Sequence, residues 1–545
     1  MPFSRRIGWA RLGWARLGWA LTACSCSTSP PSKAPAIAEG DSGETASEDS
    51  PPTTDSGPGE DSAEPADSPP PVDTAVEDTG EVTYDDTIVL LDGGDFTAFD
   101  SDSHWGGMNV GNSAYFAGDV WGDGRPELMV SGWYTDADVT DANVFFIDSE
   151  TLEHSSGVHS IVDASRLVVN GDGYNIDPYP IKDLDGDGLD EVMVSSASIG
   201  IPPALYWGSR LAVETGTLNA FRDGDVYITS YFGAFGFDGD AGYVTDLDHG
   251  RRDLVLTIGY QIAIIPGGEV AGPGYEVDGT REAILYSGSS GPRTPDPYTA
   301  MGFSRVLGDI DGDGLNEVVA GSSGTPMGVL IEVVYGDSVT PGSSLYAEDA
   351  DVLFTFPTLV DEDGDCYLAP TPLGDVDGDG TDDLTLARGD IDADGLVGRG
   401  VGWLWSGARL SAPAMLDAMD GDVEFVSTHP SALVGQSVGD IGDMDGDGLA
   451  DFLIHGAGRS DEGDFTARPF VHLVRGSEVL GGGTFDVDHA SVGFQSSEPV
   501  YQSQGGYDGD ADIDGDGIND LVIGNGDHSG AFGRVWLVPG SLVPL

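Results

Sequence analysis

A nine-residue loop of alternating carboxylates constrains the fold of this chain more than any other feature of its sequence. The clearest copy, residues 309–317, reads Asp-Ile-Asp-Gly-Asp-Gly-Leu-Asn-Glu and leads at once into the apolar run Val318-Val319-Ala320. Acids at loop positions one, three, five and nine, with glycine at the sharp bend, converge as the oxygen shell of Ca²⁺ requires. The loop is shorter than the about twelve residues of an EF-hand, and the following run is too short and too β-branched for a helix. The sequence therefore predicts a calcium loop that feeds a β-strand.

The loop recurs along the chain at a steady interval. With acids at positions one, three, five and nine, the complete copies are Asp183, Asp185, Asp187 and Glu191; Asp309, Asp311, Asp313 and Glu317; Asp375, Asp377, Asp379 and Asp383; Asp443, Asp445, Asp447 and Asp451; and Asp512, Asp514, Asp516 and Asp520. Two copies are degraded: Asp119, Asp123 and Glu127 surround Trp121, which replaces an acid, and residues 246–253 are one residue short. The loops begin at residues 119, 183, 246, 309, 375, 443 and 512, and so steady a period indicates a repeat architecture.

A simpler interpretation of each loop is a solvated turn, because Asp and Gly are also the usual residues of tight turns. A single copy does not decide between the two. Five copies that each carry the fourth acid and each lead into an apolar run favour metal ligands. We therefore expect Ca²⁺ as the cofactor at about five sites, and at up to seven if the degraded loops also bind it.

The apolar runs around the loops predict the fold class. Behind each loop lie one run of strand length, then a second, and then a further short strand, expected at residues 167–169, 226–228, 283–286, 352–356, 423–426 and 485–487. With the strand that enters the loop, each repeat holds four strands, so the sequence predicts an all-β fold: a seven-bladed β-propeller of four-stranded antiparallel blades. We expect the strand at residues 87–91 to complete the last blade, because the last repeat lacks a fourth strand of its own. An open array of β-modules is the alternative.

The charge of the chain excludes whole classes of partner. The formal net charge is −72, with 94 acidic and 22 basic residues. So acidic a protein offers no basic surface for DNA, RNA or an anionic membrane. We expect contact with a membrane only through an N-terminal lipid.

The N-terminal segment predicts export. Four arginines precede the apolar run from Leu17 to Ala23, and Leu21-Thr22-Ala23-Cys24 resembles the bacterial lipobox, in which the cysteine becomes the lipidated first residue. We interpret residues 1–26 as a lipoprotein-type signal segment with Cys24 as the lipidation site. A plain cleaved signal peptide or a mis-assigned start is the alternative. The lipid would anchor the protein to the bacterial cell envelope, at the outer membrane or cell surface.

A tether is expected between the signal segment and the propeller. Residues 27–86 are rich in Pro, Ser, Asp and Glu. Such a composition cannot bury enough apolar surface to offset the entropy of ordering, and its like charges extend it. The expected organisation is therefore a signal segment, a disordered acidic tether at residues 27–86 and a propeller at residues 87–545.

The loop, the upstream Gly302-Phe303 and the strand Glu317-Val318-Val319-Ala320-Gly321 resemble the FG-GAP (VCBS-like) repeats of the integrin α-chain N-terminal propeller and its bacterial relatives. The resemblance spans the seven repeats. It implies side-chain ligands at loop positions one, three, five and nine. It also implies a backbone carbonyl ligand at position seven, which here is Leu189, Leu315, Thr381, Leu449 and Ile518. The Phe-Gly and Gly-Ala-Pro hallmarks of the family are mostly eroded in this chain.

The sequence favours binding over catalysis. No nucleophile with a base is visible, and the nine histidines show no metal-ligand spacing. We therefore expect no enzyme but a monomeric, calcium-binding, extracellular module for adhesion or envelope scaffolding, with a protein or glycan as partner. A polysaccharide hydrolase or lyase on a propeller scaffold is the alternative. Two half loops, at residues 361–365 and 390–395, are either weak extra metal sites or polar turns.

The partner is expected on the rim opposite the calcium loops. The longer connections join the second strand of a blade to the third, at residues 132–143, 195–203, 388–400 and 455–469. Variable loops on a rigid scaffold are where recognition usually resides. Trp133, Tyr134 and Phe465 offer aromatic anchors there.

Overall fold

The structure is a computed structural model. It describes residues 87–91, 97–100, 108–136, 139–153, 156–171, 176–196, 201–230, 236–245, 251–258, 261–270, 272–286, 300–325, 328–355, 369–389, 399–428, 432–456, 470–496, 506–525 and 533–544. The predicted signal segment with Cys24, the tether and both half loops lie outside these residues.

The described residues form a seven-bladed β-propeller of seven five-stranded sheets. From the first strand outward, blade 1 contains Met108–Phe116, Leu128–Asp136, Val139–Ile147, Leu167–Asn170 and Gly216–Asn219, and blade 2 contains Asp177–Ile181, Glu191–Ser195, Ala204–Tyr206, Val226–Ser230 and Gly274–Val277. In the same order, blade 3 contains Gly236–Gly242, Asp253–Ile258, Gln261–Ile265, Ala283–Tyr286 and Ser344–Tyr346; blade 4 contains Ala300–Leu307, Glu317–Thr325, Gly328–Val334, Val352–Thr355 and Ala414–Asp417; and blade 5 contains Ala369–Leu373, Asp383–Arg388, Val401–Trp405, Val423–Val426 and Gly483–Asp486. Blade 6 contains Val438–Gly442, Asp451–His455, Val471–Val474, Val492–Gln495 and Thr87–Leu90, and blade 7 contains Tyr507–Ala511, Asp520–Asn525, Arg534–Val538, Thr97–Asp100 and Gly157–Ser160. The prediction of an all-β propeller with seven blades is confirmed.

Each blade has one strand more than the sequence predicts. Four strands pair antiparallel, and the fifth pairs parallel with the fourth. In blade 1, Gly216–Asn219 lies in register along Leu167–Asn170, although it belongs to the second repeat. In the other blades the fifth strand likewise comes from the next repeat around the ring, or from the N-terminal segment in blade 6, and it ties neighbouring blades together by backbone hydrogen bonds.

The ring is closed by the N-terminal segment, but with a different pairing from the one expected. Thr87–Leu90 does not complete the last blade; it lies parallel to Val492–Gln495 as the fifth strand of blade 6. Thr97–Asp100 is the strand that completes blade 7, antiparallel to Arg534–Val538. The sequence predicted the more apolar of these two strands in the last blade, because the fifth strand of each blade was not predicted.

A second strand assignment is also corrected by this exchange. Residues 485–487 were expected to form the fourth strand of blade 6. Gly483–Asp486 instead pairs parallel with Val423–Val426 of blade 5, and Val492–Gln495 is the fourth strand of blade 6. Both stretches have strand composition, and only the pairing between repeats distinguishes them.

The core of the propeller lies between the blades. Within the described residues, one apolar cluster fills each of the seven spaces between neighbouring blades, including the space between blades 7 and 1. Second strands such as Glu191–Ser195 are buried along their whole length. Because both faces of a blade are covered, these strands are continuously apolar and do not alternate with polar residues.

The first strands of neighbouring blades contact one another around the centre of the ring. In two of these contacts, a carboxylate accepts a hydrogen bond from the neighbouring blade. The Asp508 carboxylate of blade 7 accepts a hydrogen bond from the backbone N–H of Phe116 in blade 1 at 2.7 Å. Asp240 of blade 3 accepts one from the N–H of Val306 in blade 4 at 2.8 Å. The contact between blades 7 and 1, which closes the ring, is therefore of the same kind as the contact between blades 3 and 4, which are consecutive in sequence.

Helices in the described residues are single turns. The α-helical turns are Ser149–Glu153, Ile161–Ala164, Gly208–Leu211, Gly407–Leu410 and Gly476–Val479; the 3₁₀ turns are Gly267–Glu269, Gly336–Ser338, Ala347–Asp349, Val487–His489 and Gly540–Leu542. No helix among the described residues has the length and apolar character needed to cross a membrane.

One of the expected variable loops is a regular hairpin. Leu128–Asp136 and Val139–Ile147 pair along their full length, so residues 132–143 are strand apart from the turn itself. The β-forming residues Trp133, Tyr134 and Thr135 extend the strand where a loop was expected. Most of the other three connections, with Phe465, lies outside the described residues.

Replacing Phe99 tests ring closure by residues 97–100. Phe99 is fully buried between blades 7 and 1, beside Val110 and Val535. Phe99→Ala should lower the free energy of unfolding by about 3–5 kcal/mol, because it removes a large side chain from a packed core. Urea denaturation of the full chain measures the change.

Val158→Ala is the matched control, because Val158 lies on the neighbouring fifth strand and is 57% exposed. Its effect should stay within about 0.5 kcal/mol. Equal, small effects of the two substitutions would show that residues 97–100 do not close the ring.

Candidate metal loops

The predicted loops all connect the first strand of a blade to the second, so they lie on one rim of the ring. A common hydrogen-bond pattern shapes the loop, as in blade 4. The Asp309 carboxylate at position one accepts from the backbone N–H groups of Gly312 at 2.7 Å, Asp313 at 3.1 Å and Gly314 at 2.9 Å. Both glycines have positive φ, 83° and 92°, which a residue with a side chain rarely adopts. The acid at position one and the two glycines are therefore required by the backbone of the loop.

The acids at positions three and five are held by the next turns of the same loop. In blade 4, Asp311 accepts from the N–H of Asp313 at 3.0 Å, and Asp313 accepts from the N–H of Leu315 at 2.7 Å. The residue at position two is apolar and buried, and Ile310 anchors the loop to the core between blades 4 and 5. This buried anchor recurs as Leu184, Val376, Met444 and Ile513 and was not used in the sequence analysis.

The acid at position nine is the buried member of each loop. It begins or immediately precedes the second strand, and at most 2% of its surface is exposed: Glu127, Glu191, Asp253, Glu317, Asp383, Asp451 and Asp520. In blade 5, Asp383 accepts from the N–H of Val376 at 2.9 Å and from the N–H of Gly407 at 2.8 Å. Strand packing thus fixes this carboxylate at the inner end of the loop.

In blade 4, the carboxylate at position nine retains an oxygen with no partner. Oε1 of Glu317 accepts from the N–H of Ile310 at 3.3 Å, but the buried Oε2 has no hydrogen-bond partner. An unpaired buried carboxylate oxygen is costly, so it requires a proton or a cation nearby.

In blades 2, 4 and 5, the structure brings three of the four predicted ligand acids of the loop together, and in blade 1 it brings together the three acids of the degraded loop. One carboxylate oxygen from each member of a group lies within 4.8 Å of the others in Asp183, Asp185 and Asp187; in Asp309, Asp311 and Glu317; in Asp375, Asp377 and Asp383; and in the degraded loop, Asp119, Asp123 and Glu127. The loops of blades 6 and 7 keep the same hydrogen bonds to Asp443, Asp451, Asp512 and Asp520. A set made only of carboxylate oxygens is what a hard cation such as Ca²⁺ prefers.

Burial raises the pKa of the carboxyl groups at position nine. The pKa is raised to about 9 for Glu127, to about 8 for Glu191 and Glu317, to about 7 for Asp383, and to about 6 for Asp451 and Asp520. Loss of hydration is the largest cause, and repulsion from other acids of the same loop adds to it. In Glu317 the repelling groups are Asp311 and Asp309. Without a counter-charge, these loops therefore resist full ionisation.

A glycine after the third strand of the blade completes the loop's surroundings. It opens the single turn that packs on the loop in six blades: Gly208, Gly267, Gly336, Gly407, Gly476 and Gly540. A Cβ atom on Gly407 would lie 2.2 Å from the carbonyl oxygen of Asp382, so no larger residue fits there. The sequence shows these glycines as strand ends, but the N–H groups of several of them bind the acid at position nine.

Position eight of the loop joins neighbouring blades. The Asp190 carboxylate of blade 2 accepts from the N–H of Asp183 at 2.8 Å and from the N–H of Asp119 in blade 1 at 3.0 Å. In blade 4, the Asn316 side chain accepts from the N–H of Tyr243 in blade 3 at 2.8 Å. The loops are therefore joints of the ring as well as candidate metal sites.

The degraded loop of blade 1 keeps the backbone conformation of the complete loops but lacks a ligand side chain at position three. Asp119 accepts from the N–H groups of Gly122 at 2.6 Å and Gly124 at 2.9 Å, as in the complete loops. Trp121, at position three, is buried, and the Arg166 guanidinium lies 4.5 Å from the centre of its ring. The indole offers no ligand, so this loop fits a cation less well than the complete loops do.

In blade 3, the acids Asp246 and Asp248 lie outside the described residues. Asp253, at the position of the ninth acid, accepts from the backbone N–H of Thr245 at 2.5 Å and from its hydroxyl group at 3.1 Å. The hydroxyl therefore satisfies the carboxylate without any ion.

Comparison with known proteins places the chain in no family. No family model matches it, and no curated protein is a significant match. Among solved structures, a chain in the crystal structure of BBS1N in complex with ARL6DN, soaked with lead, is 11% identical with a TM-score of 0.31, and the match covers 67% of this chain and 93% of that one. The same complex soaked with mercury gives 10% identity, a TM-score of 0.31 and the same coverage. Similarity at this level assigns neither a ligand nor an activity to the propeller.

Proposed function

We propose that the loops of blades 2, 4, 5, 6 and 7 each bind one Ca²⁺ ion. The observation that carries this proposal is the buried Oε2 of Glu317, which has no hydrogen-bond partner in a loop of converging acids. The ion would neutralise the repulsion among the carboxylates. The acids at positions one, three, five and nine would hold it, and the family resemblance adds the carbonyl groups of Leu189, Leu315, Thr381, Leu449 and Ile518.

We further propose that the protein is an exported FG-GAP-like lipoprotein that acts as a binding module. The lipobox-like Leu21-Thr22-Ala23-Cys24 and the acidic composition of residues 27–86 support export and a tether. Binding is favoured over catalysis because the sequence shows no nucleophile with a base. A protein or glycan outside the cell is the proposed partner of a monomeric propeller.

Removing calcium should destabilise the propeller. A ligand that binds only the folded state at a hundred times its Kd contributes about 2.7 kcal/mol per site, so excess chelator should lower the melting temperature markedly. Metal analysis after dialysis against calcium should find about five ions per chain. Glu317→Gln should reduce the number by one.

Asp420→Asn makes the same change in charge at a side chain that is 85% exposed, and it should leave the number of ions unchanged. A calcium-free protein whose melting curve is the same with and without chelator would overturn the proposal.

Lipidation of Cys24 should place the protein in the membrane fraction. Cys24→Ala should release it to the soluble fraction, because the acceptor sulfur is lost. Cys26→Ala is the matched control and should stay membrane-bound. An intact mass that shows an unmodified N-terminus at another residue would contradict lipidation.

Partner binding should depend on the rim opposite the metal loops. The hairpin of blade 1 places Trp133 and Tyr134 near its tip on that rim. Once protein and glycan arrays identify a ligand, replacing both residues by alanine should weaken binding about tenfold or more, as loss of aromatic anchors does. Asp420→Asn, at a side chain that is 85% exposed, is the control and should bind normally; undiminished binding after the double substitution would place the site elsewhere.

A further inference from the structure

The single turn after each third strand lies against the metal loop of its own blade, and its residues differ from blade to blade. In blade 5, the hydroxyl group of Ser406, just before Gly407, donates to the Asp379 carboxylate at 2.7 Å. The residues on either side of this glycine are therefore placed to change the charge of the loop without being part of it.

Blade 4 carries an extra acid at this turn. A carboxylate oxygen of Asp337, the residue after Gly336, lies within 4.8 Å of oxygens from Asp311 and Asp313. Glu317, with its unpaired buried oxygen, approaches Asp311 from the inner side. In blade 4, the turn after the third strand thus adds a carboxylate to the four at loop positions one, three, five and nine. The residues that correspond to Asp337 after the other five glycines are uncharged: Ser209, Gly268, Ala408, Ser477 and Ser541.

At this distance the Asp337 carboxylate acts electrostatically on Asp311 and Asp313 of the loop although Asp337 is itself exposed. Its negative charge is unfavourable when no cation is bound and favourable when one is.

Blade 6 carries a cation at the same turn. Nε of Arg475, the residue before Gly476, lies 3.7 Å from the Asp445 carboxylate at loop position three. A hydrogen bond of 3.1 Å from Nη2 to the carbonyl oxygen of Pro544 fixes the position of the guanidinium. A fixed positive charge beside a ligand acid opposes the arrival of a second cation.

We propose that Asp337 and Arg475 set the order of calcium affinity among the loops. Asp337 makes the loop of blade 4 the tightest calcium site, and Arg475 makes the loop of blade 6 the weakest. This ranking rests on the proposed binding of calcium. The number of charged ligands is a main determinant of calcium affinity in oxygen-ligand sites, so the loops fill in order as free calcium rises. Part of the ring is then occupied at calcium concentrations that leave blade 6 empty.

Competition titration of the calcium-free full chain against chelators of graded affinity tests the ranking. Asp337→Asn should raise the Kd of the tightest site about three- to tenfold, the range expected when one nearby charge is lost, and leave the other sites unchanged. Arg475→Gln should lower the Kd of the weakest site by a similar factor. Asp420→Asn, with the same change in net charge as Asp337→Asn, should move neither.

A double variant assigns the effect of Asp337 to its loop. In a Glu317→Gln background, which removes the loop of blade 4 as a site, Asp337→Asn should have no further effect on any remaining Kd. Ser541→Asp, which adds an acid at the corresponding turn of blade 7, should tighten one further site. Melting curves in saturating calcium establish that each variant is folded.

The outcomes separate the ranking from the proposed function. Calcium binding with an unchanged tightest Kd in Asp337→Asn and an unchanged weakest Kd in Arg475→Gln would overturn the ranking and leave the metal sites in place. Equal shifts in Asp337→Asn and Asp420→Asn would also overturn it, since net charge alone would then explain both. The absence of any calcium binding by the wild-type chain would overturn the proposed function itself.

Discussion

Burial of each blade on both faces is the constraint on which the rest of the structure depends. The second strands of blades 2 and 5, Glu191–Ser195 and Asp383–Arg388, expose almost nothing along their length. A row of such blades would leave one apolar face open at each end. At about 25 cal/mol per Å², a few hundred Å² of exposed face would cost on the order of 10 kcal/mol. Closing the ring removes both ends, and the strands Thr87–Leu90 in blade 6 and Thr97–Asp100 in blade 7 contribute to this closure.

The candidate metal loops lie at the contacts between neighbouring blades. Position eight of one loop binds the chain that enters the preceding loop, as Asp190 does with Asp119 and as Asn519 does with the carbonyl oxygen of Ile441 at 3.2 Å. The acid at position nine is fixed by the strand that packs between two blades. Any ion held by the loop would therefore stabilise contacts between blades as well as the loop itself, and its loss would loosen the ring at several joints together.

The period of the loops, their acids and the apolar runs behind them were enough to predict the propeller and its seven blades, because these features depend on local sequence. The exchange of strands between repeats was not predictable in the same way. Gly216–Asn219 and Gly483–Asp486 are short strands of ordinary composition, and nothing within them indicates parallel pairing with the preceding repeat. The single turns were visible only as glycine-containing strand ends. Their role depends on the close approach of Gly407 to the backbone of Asp382, a contact between segments that are distant along the chain.

Comparison of blade 1 with the complete loops distinguishes the residues that shape the loop from the acids that a cation would need. Its loop keeps the acid at position one and glycines with φ of 74° and 85°, and it has the same hydrogen bonds although Trp121 replaces the acid at position three. The acid at that position is therefore dispensable for the shape of the loop. In the complete loops such acids add to the repulsion that raises the pKa of Glu191 to about 8. Five loops of one chain carry this unfavourable set of charges, and folding alone gives no reason for it. The proposed bound cation would supply the reason, because it would turn the repulsion among the acids into attraction to a common centre.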